Sequence, residues 1–233
     1  SGLDTGDITP TAMSINTKTG FSIVAWTGDG SNGGSTVPHG LDRAPEFMIT
    51  KNLDGHNASQ TPSPGWNDWP VYHKSVRSGA NNFISNALWL HNSAAAVDNM
   101  GGWHHDPTDE VFTPHSTGYS NVNQKTYIAY CWHSVPGYSA FGSYDGTDSA
   151  DGPFIYTGFK PAFLMIKRTD ADQHWPIVDS TRNAHNPADL RMFANITEPD
   201  DPGIPNFVDL LSNGFKCRNT NISYNENGGK FIY

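Results

Sequence analysis

Residues 45–54 read PEFMITKNLD, and residues 161–170 read PAFLMIKRTD. A proline, a phenylalanine, an apolar run, a lysine and an aspartate recur in one order. A chain that repeats itself is constrained to fold as a repeated unit. Three further blocks extend the match in the same order. FSIVAWTGDG (21–30) pairs with YSAFGSYDGT (138–147), WPVYHK (69–74) with WPIVDS (175–180), and KTYIAY (125–130) with GKFIY (229–233). The first copy is longer, chiefly through residues 53–65. Colinear blocks of this kind point to a tandem duplication.

Each block has the composition of a strand. SIVAW and FMITK are rich in β-branched and aromatic residues and run into Gly, Asn or Asp turns. FLMIK is a nearly continuous apolar run, which suits a strand covered on both faces. TYIAYCW places Tyr127, Ala129 and Cys131 on one side and Ile128, Tyr130 and Trp132 on the other, so it too is expected to be covered twice. GDGSNGG (28–34) and DGTDSADG (145–152) supply the positive-φ positions that tight connections require. Helical signals are confined to 83–98 and 206–211. The predicted fold is therefore all-β, with two tandem, duplicated antiparallel β-sandwich units. Residues 1–20 read as a linker or strand from a longer chain, 21–135 as the first unit with long loops, and 136–233 as the second. Its last strand stops at FIY where the first copy runs on into CWHSVPG, so continuation past residue 233 is expected.

Composition narrows the function classes. A formal net charge of −9 lacks the basic face that nucleic-acid binding needs. No apolar run approaches the roughly 18 residues of a membrane span. The N-terminus, SGLDTGDITP, lacks the basic and apolar regions of a signal peptide. Cys131 and Cys217 both sit in apolar-aromatic contexts and are expected to be buried free thiols.

The joint YIAYCWHSVPGYSAFGSYDGTDSADGPFIYTGFKPAFLMIKRTD (127–170) resembles a repeat found in long structural proteins of tailed, especially marine, bacteriophages. The likeness continues through WPIVDSTRNAHNP, LLSNGFKCRNTN and GGKFIY, and backward to GFSIVAWTGDG, VPHGLDRAPEFMITKN and WPVYHKS. It implies a virion component such as a tail fibre or appendage, localised to the extracellular particle. The implied partners are sister chains in a homo-oligomer, a trimer in many fibres, or other virion proteins. It brings no catalytic residues with it. The first copy departs from the pattern in its long stretches 53–65 and 99–110, where specificity is expected.

Candidate sites follow from the residues. Trp66, Trp69, Trp89 and Trp103 cluster in the middle of the first copy, near His56, His91 and His104. Trp69 and Trp175 recur in both copies and read as core. Trp66 and Trp103 lack counterparts and are the candidates for stacking on a host cell-surface glycan, with His104, His105 and Asp106 as hydroxyl partners. Adjacent histidines on an extended segment point apart, which argues against a metal there. Asp145, Asp148 and Asp151 offer hard oxygen ligands for calcium on a Gly-rich turn. The EF-hand spacing is absent, however, and aspartate is an ordinary turn residue. No cofactor is expected, and with neither a GxSxG elbow nor a P-loop, no enzyme. The expected role is a non-enzymatic virion structural protein with a glycan-binding surface. Its rivals are a tail-spike polysaccharide depolymerase, which needs two facing carboxylates, and a purely architectural assembly, filament or capsid-decoration subunit.

Overall fold

The computed structural model of the chain describes residues 5–32, 34–54, 68–76, 87–96, 102–115, 120–199 and 205–233. The chain divides into two compact units, Ser1–Leu90 with Val97–Val135, and His91–Ala96 with Pro136–Tyr233. Both are all-β, every strand pairing is antiparallel, and the described residues contain no helix. Among the described residues, no helix is long and apolar enough to cross a membrane.

Unit 1 contains β1 (Ala12–Asn16), β2 (Phe21–Thr27), β3 (Val37–Pro38), β4 (Phe47–Asn52) and β5 (Pro70–His73). It continues with β6 (Leu88–Trp89), β7 (Trp103–His105), β8 (Val111–Pro114) and β9 (Thr126–Trp132). They form a six-stranded sheet, β1-β2-β9-β4-β5-β6, and a three-stranded sheet, β3-β8-β7. Alternation explains the core. Val24 and Trp26 of β2 and Tyr127, Ala129 and Cys131 of β9 point inward to meet Val37, Phe112 and Trp103 from the smaller sheet. Trp26 lies opposite Tyr127 and stacks on it at 5.4 Å, while Phe112 meets Trp26 edge-on at 5.3 Å. Each such aromatic pair adds about 1 kcal/mol beyond the area it buries. The opposite face of β9 is only half-buried: Trp132 stacks on Phe21 at 4.9 Å and packs against Phe47 at 5.4 Å. The strand thus has one sealed face and one partly covered face, rather than two sealed ones.

Where the chain leaves β3, His39 is fully buried. Its Nδ1 accepts the Leu41 amide at 3.1 Å, so its proton sits on Nε2, 3.1 Å from the Thr108 carbonyl oxygen. Burial pushes its pKa down from 6.5 to about 4. Both ring nitrogens are satisfied in the neutral form only.

Unit 2 contains β10 (Ser143–Asp145), β11 (Phe154–Tyr156), β12 (Phe163–Met165), β13 (Lys167–Arg168) and β14 (Pro176–Asp179). After them come β15 (Met192–Phe193), β16 (Val208–Leu211), β17 (Gly214–Cys217) and β18 (Lys230–Ile232). Three small sheets result, β10-β18-β13, β12-β14-β15 and β11-β17-β16. Their inward residues, among them Ile155, Leu164, Ile166, Val178, Leu210, Phe215 and Phe231, share one core. Tyr144 stacks on Phe231 at 5.2 Å and meets Phe215 edge-on at 6.0 Å.

Three expectations change. The apolar run FLMIK is not covered on both faces: Leu164 and Ile166 enter the core, but Phe163 faces solvent at 58% exposure. Residues 88–89 and 208–211, inside the stretches with helical signal, are strands, because both pair into sheets that bury their alternate side chains. Residues 91–96, which the sequence assigns to the first unit, belong to unit 2. Cys131 and Cys217 are free and fully buried, and burial pushes both thiols up to about 12.

Candidate functional site

The stretch that sequence singled out lies on β7. Trp103 is 1% exposed, inside the core of unit 1, and its ring meets Tyr72 edge-on at 5.9 Å. It offers no open face for stacking on a sugar, which corrects its assignment as a ligand residue. Trp66 and nearly all of the insertion 53–65 lie outside the described residues.

His104, His105 and Asp106 are half-buried at the rim of the smaller sheet. The two imidazoles do not point apart. Their rings meet at 4.4 Å, with His104 Nδ1 2.9 Å from His105 Nε2. The cause is a register shift between Trp103 and His105, a bulge that breaks the two-residue alternation and turns neighbours toward one side. His115 stacks on His104 at 5.6 Å. Burial, and then the neighbouring imidazoles His105 and His115, hold His104 below the usual histidine range; burial does the same to His115. The Tyr72 hydroxyl donates to Asp106 Oδ1 at 3.1 Å, tying the acidic residue to β5. Among the described residues, no group of three or more His, Cys, Asp or Glu is arranged to hold a metal ion.

The aspartates of the 145–151 turn serve other groups. Asp145 pairs with Lys230 at 2.7 Å, and Asp151 with Lys216 at 2.5 Å and Arg218 at 3.6 Å. Lys216 holds the Asp151 carboxyl below its ordinary value. Asp148 adopts φ 52°, a left-handed turn position that aspartate tolerates. The three do not converge on one point.

Sequence reasoning passed over two residues that organise these loops. Asn225 is fully buried; its Oδ1 accepts the Thr147 amide at 2.9 Å, and its Nδ2 donates to the carbonyls of Ser149 and Asn219, both at 2.8 Å. Asn121 does the equivalent work in unit 1. It accepts from the Asp29 amide at 3.2 Å and donates to Asp29 Oδ1 at 2.9 Å and the Ser31 carbonyl at 3.0 Å. A repeated Asn-x-Asn (Asn121-Val122-Asn123 before Tyr127, Asn225-Glu226-Asn227 before Phe231) was the available signal.

Lys167 is a third missed residue. It is fully buried, with Nζ donating to the Gln173 carbonyl at 2.6 Å and the Ser93 carbonyl at 2.9 Å, 5.9 Å from the Trp175 ring centre. Burial pushes its amine down to about 8. The ammonium fastens residues 91–96, which also bond through Ala95 N to Asp172 Oδ1 and Ala96 N to the Thr169 carbonyl. Lys167→Met is expected to free that segment. Amide exchange at Ala95 and Ala96 should quicken at least tenfold while exchange in β16 and β17 changes little.

The exposed aromatics lie where sequence did not look. Among the described residues they are Tyr138, Phe154, Tyr156 and Phe163, all in unit 2. A family model described as "Domain of unknown function (DUF7483)" matches residues 3–233, a span that runs through both units. No curated protein and no solved structure matches the chain. With nearly the whole length matched, the chain belongs to the DUF7483 family.

Proposed function

We propose that the chain is a non-enzymatic structural component of a tailed-bacteriophage particle, built from two copies of one antiparallel β-sandwich unit and held to sister chains or other virion proteins. The observation that carries the two-copy part is the agreement of the pairings, residue for residue. Phe47, Met48 and Ile49 face His73, Tyr72 and Val71 as Phe163, Leu164 and Met165 face Asp179, Val178 and Ile177. Lys51 and Asn52 face Ile128 and Tyr127 as Lys167 and Arg168 face Ile232 and Phe231. Val37 faces Phe112 as Ile155 faces Phe215. The same lysine rides over the same tryptophan, Lys51 on Trp69 at 5.3 Å and Lys167 on Trp175 at 5.9 Å. A buried asparagine brackets the same loop in each unit. Register is set by which face is buried, so independent strands would not agree at so many positions.

The virion part rests on the resemblance carried by residues 127–170. Two units, each with its own core, suit a modular particle component. The carboxylates of Asp145, Asp151, Asp170, Asp179 and Glu226 are paired with lysines or arginines that hold the fold, which favours a structural role for them. The test is imaging of the intact particle, with peptide mass spectrometry of purified virions. The chain should be present in many copies and account for density outside the head interior. Particles that lack it overturn the reading.

A further inference from the structure

Unit 1 closes two sheet edges with one stretch of chain, residues 6–16. At β3, the Ile8 amide donates to the Thr36 carbonyl at 2.9 Å, and the Asp7 carboxylate accepts from the Thr36 amide at 3.0 Å and its hydroxyl at 2.8 Å. Ile8 enters the core. Gly6 passes so close that a Cβ there would stand 2.6 Å from Pro38 Cδ. The Thr11 amide then donates to the Ala25 carbonyl at 2.8 Å, and β1 runs along β2.

In unit 2 the corresponding strands are β11 and β10, and both end their sheets. Among the described residues, β11 pairs only with β17 and β10 only with β18. Thr157 N donates to the Asn213 carbonyl and Cys217 N to the Pro153 carbonyl, so the odd positions of β11 bond inward. The backbone groups of Phe154 and Tyr156 therefore point outward, as those of Thr36 and Pro38 do in unit 1. Tyr156 even retains the N–H that Pro38 lacks. Both side chains are open, Phe154 at 46% and Tyr156 at 68% exposure. An uncovered edge with exposed aromatics is the condition under which another extended segment adds as a strand.

We propose that unit 2 receives residues 5–16 of a second copy of this chain in a strand swap: the stretch leaves β3 and β2 of its own unit 1 and lies on β11 and β10 of its neighbour in the same way, so that copies join head to tail. The occupant follows from the covered edge in unit 1, where this same stretch fits. Glycine at position 6 permits close passage over the aromatics, and Ile8 supplies the apolar anchor. The outward-facing Phe154 amide stands where the Thr36 amide receives Asp7 at home. A heterologous contact of this kind propagates into a filament unless its rotation closes it into a ring. The inference rests on the equivalence of the two units and not on the virion setting, which particle imaging tests separately.

The experiment adds a synthetic peptide of residues 5–16 to the full chain and follows binding by fluorescence anisotropy and amide exchange. Saturable binding is expected, with slowed exchange at Phe154, Tyr156 and β10. Tyr156→Asp, a change at an exposed position, should weaken it at least tenfold while leaving the thermal transition unchanged. Three results overturn the proposal: no binding at millimolar peptide, binding indifferent to Tyr156→Asp, or protection confined to β2 and β3. The last would mean simple exchange with the chain's own segment.

Discussion

Asn225→Leu is expected to lower the stability of unit 2 by about 3 kcal/mol, because three backbone groups lose one shared, buried side-chain partner together. The leucine matches the amide in size, so little of the loss comes from a cavity. It comes from the Thr147 amide and the Ser149 and Asn219 carbonyls, which all bond to one side chain that is itself 0% exposed. For a domain whose whole stability is about 5–15 kcal/mol, that is a large fraction. Neighbouring glycines leave the loop no room to rearrange: a Cβ on Gly152 would lie 2.6 Å from Asn225 Nδ2, and one on Gly146 would strike the Glu226 carbonyl. Urea titration followed by amide-exchange mass spectrometry checks the prediction. Peptides from β16, β17 and β18 should lose protection at lower denaturant in the variant than in the parent. Unchanged midpoints for those peptides would mean that the bracket is ornamental. Asn121→Leu should produce the matching loss in β2 and β9.

Acid is expected to weaken unit 1 by about 3 kcal/mol between pH 6.5 and 4 through His39 alone. The sign follows from proton counts. In the unfolded chain the imidazole takes up a proton as pH falls through 6.5, whereas in the fold burial holds that uptake back to about 4. Over that window the unfolded state binds more protons, so the stability present in full above pH 6.5 drains away as pH falls. The groups around His39 oppose one another: Asp109 favours its charged form and His133 disfavours it, both more weakly than burial does. His39→Gln preserves a donor for the Thr108 carbonyl and an acceptor for the Leu41 amide without titrating. His104 and His115 contribute with the same sign in both proteins, so the difference between the two stability curves isolates His39. Parallel curves from pH 7 to 4 would refute the assignment.

The large strands were legible because their chemistry is periodic. Val24 and Trp26, or Tyr127, Ala129 and Cys131, alternate on β-branched and aromatic backgrounds, and each strand has an echo elsewhere in the chain. The smaller sheets were not. Val37–Pro38 is two residues long, and nothing local reveals that it pairs with Val111 and Phe112. Trp103 was misplaced because a tryptophan's identity does not say which side of a sheet it takes; its core neighbours, Tyr72 among them, are far away in sequence. His104 and His105 were expected to diverge under strict alternation, and a bulge, which depends on pairing with β8, brought them together. Asn121 and Asn225 were overlooked because asparagine before a strand is ordinary turn composition. Only the fold shows that each is sealed from water with three polar groups aimed at it.

The lysine that fastens residues 91–96 also limits how this chain can be cut. Unit 2 draws one of its two ammonium-binding carbonyls from Ser93, in a segment that the ribosome makes before β7, β8 and β9 exist. A fragment starting at Pro136 therefore carries Lys167 into its core with only the Gln173 carbonyl to meet it. The boundary that looks natural in the repeat pattern is not a clean seam. Recombination at that seam would hand the new chain a buried cation short of an acceptor. Any segment joined ahead of Pro136 in place of unit 1 must bring residues 91–96 with it if Lys167 is to keep both acceptors.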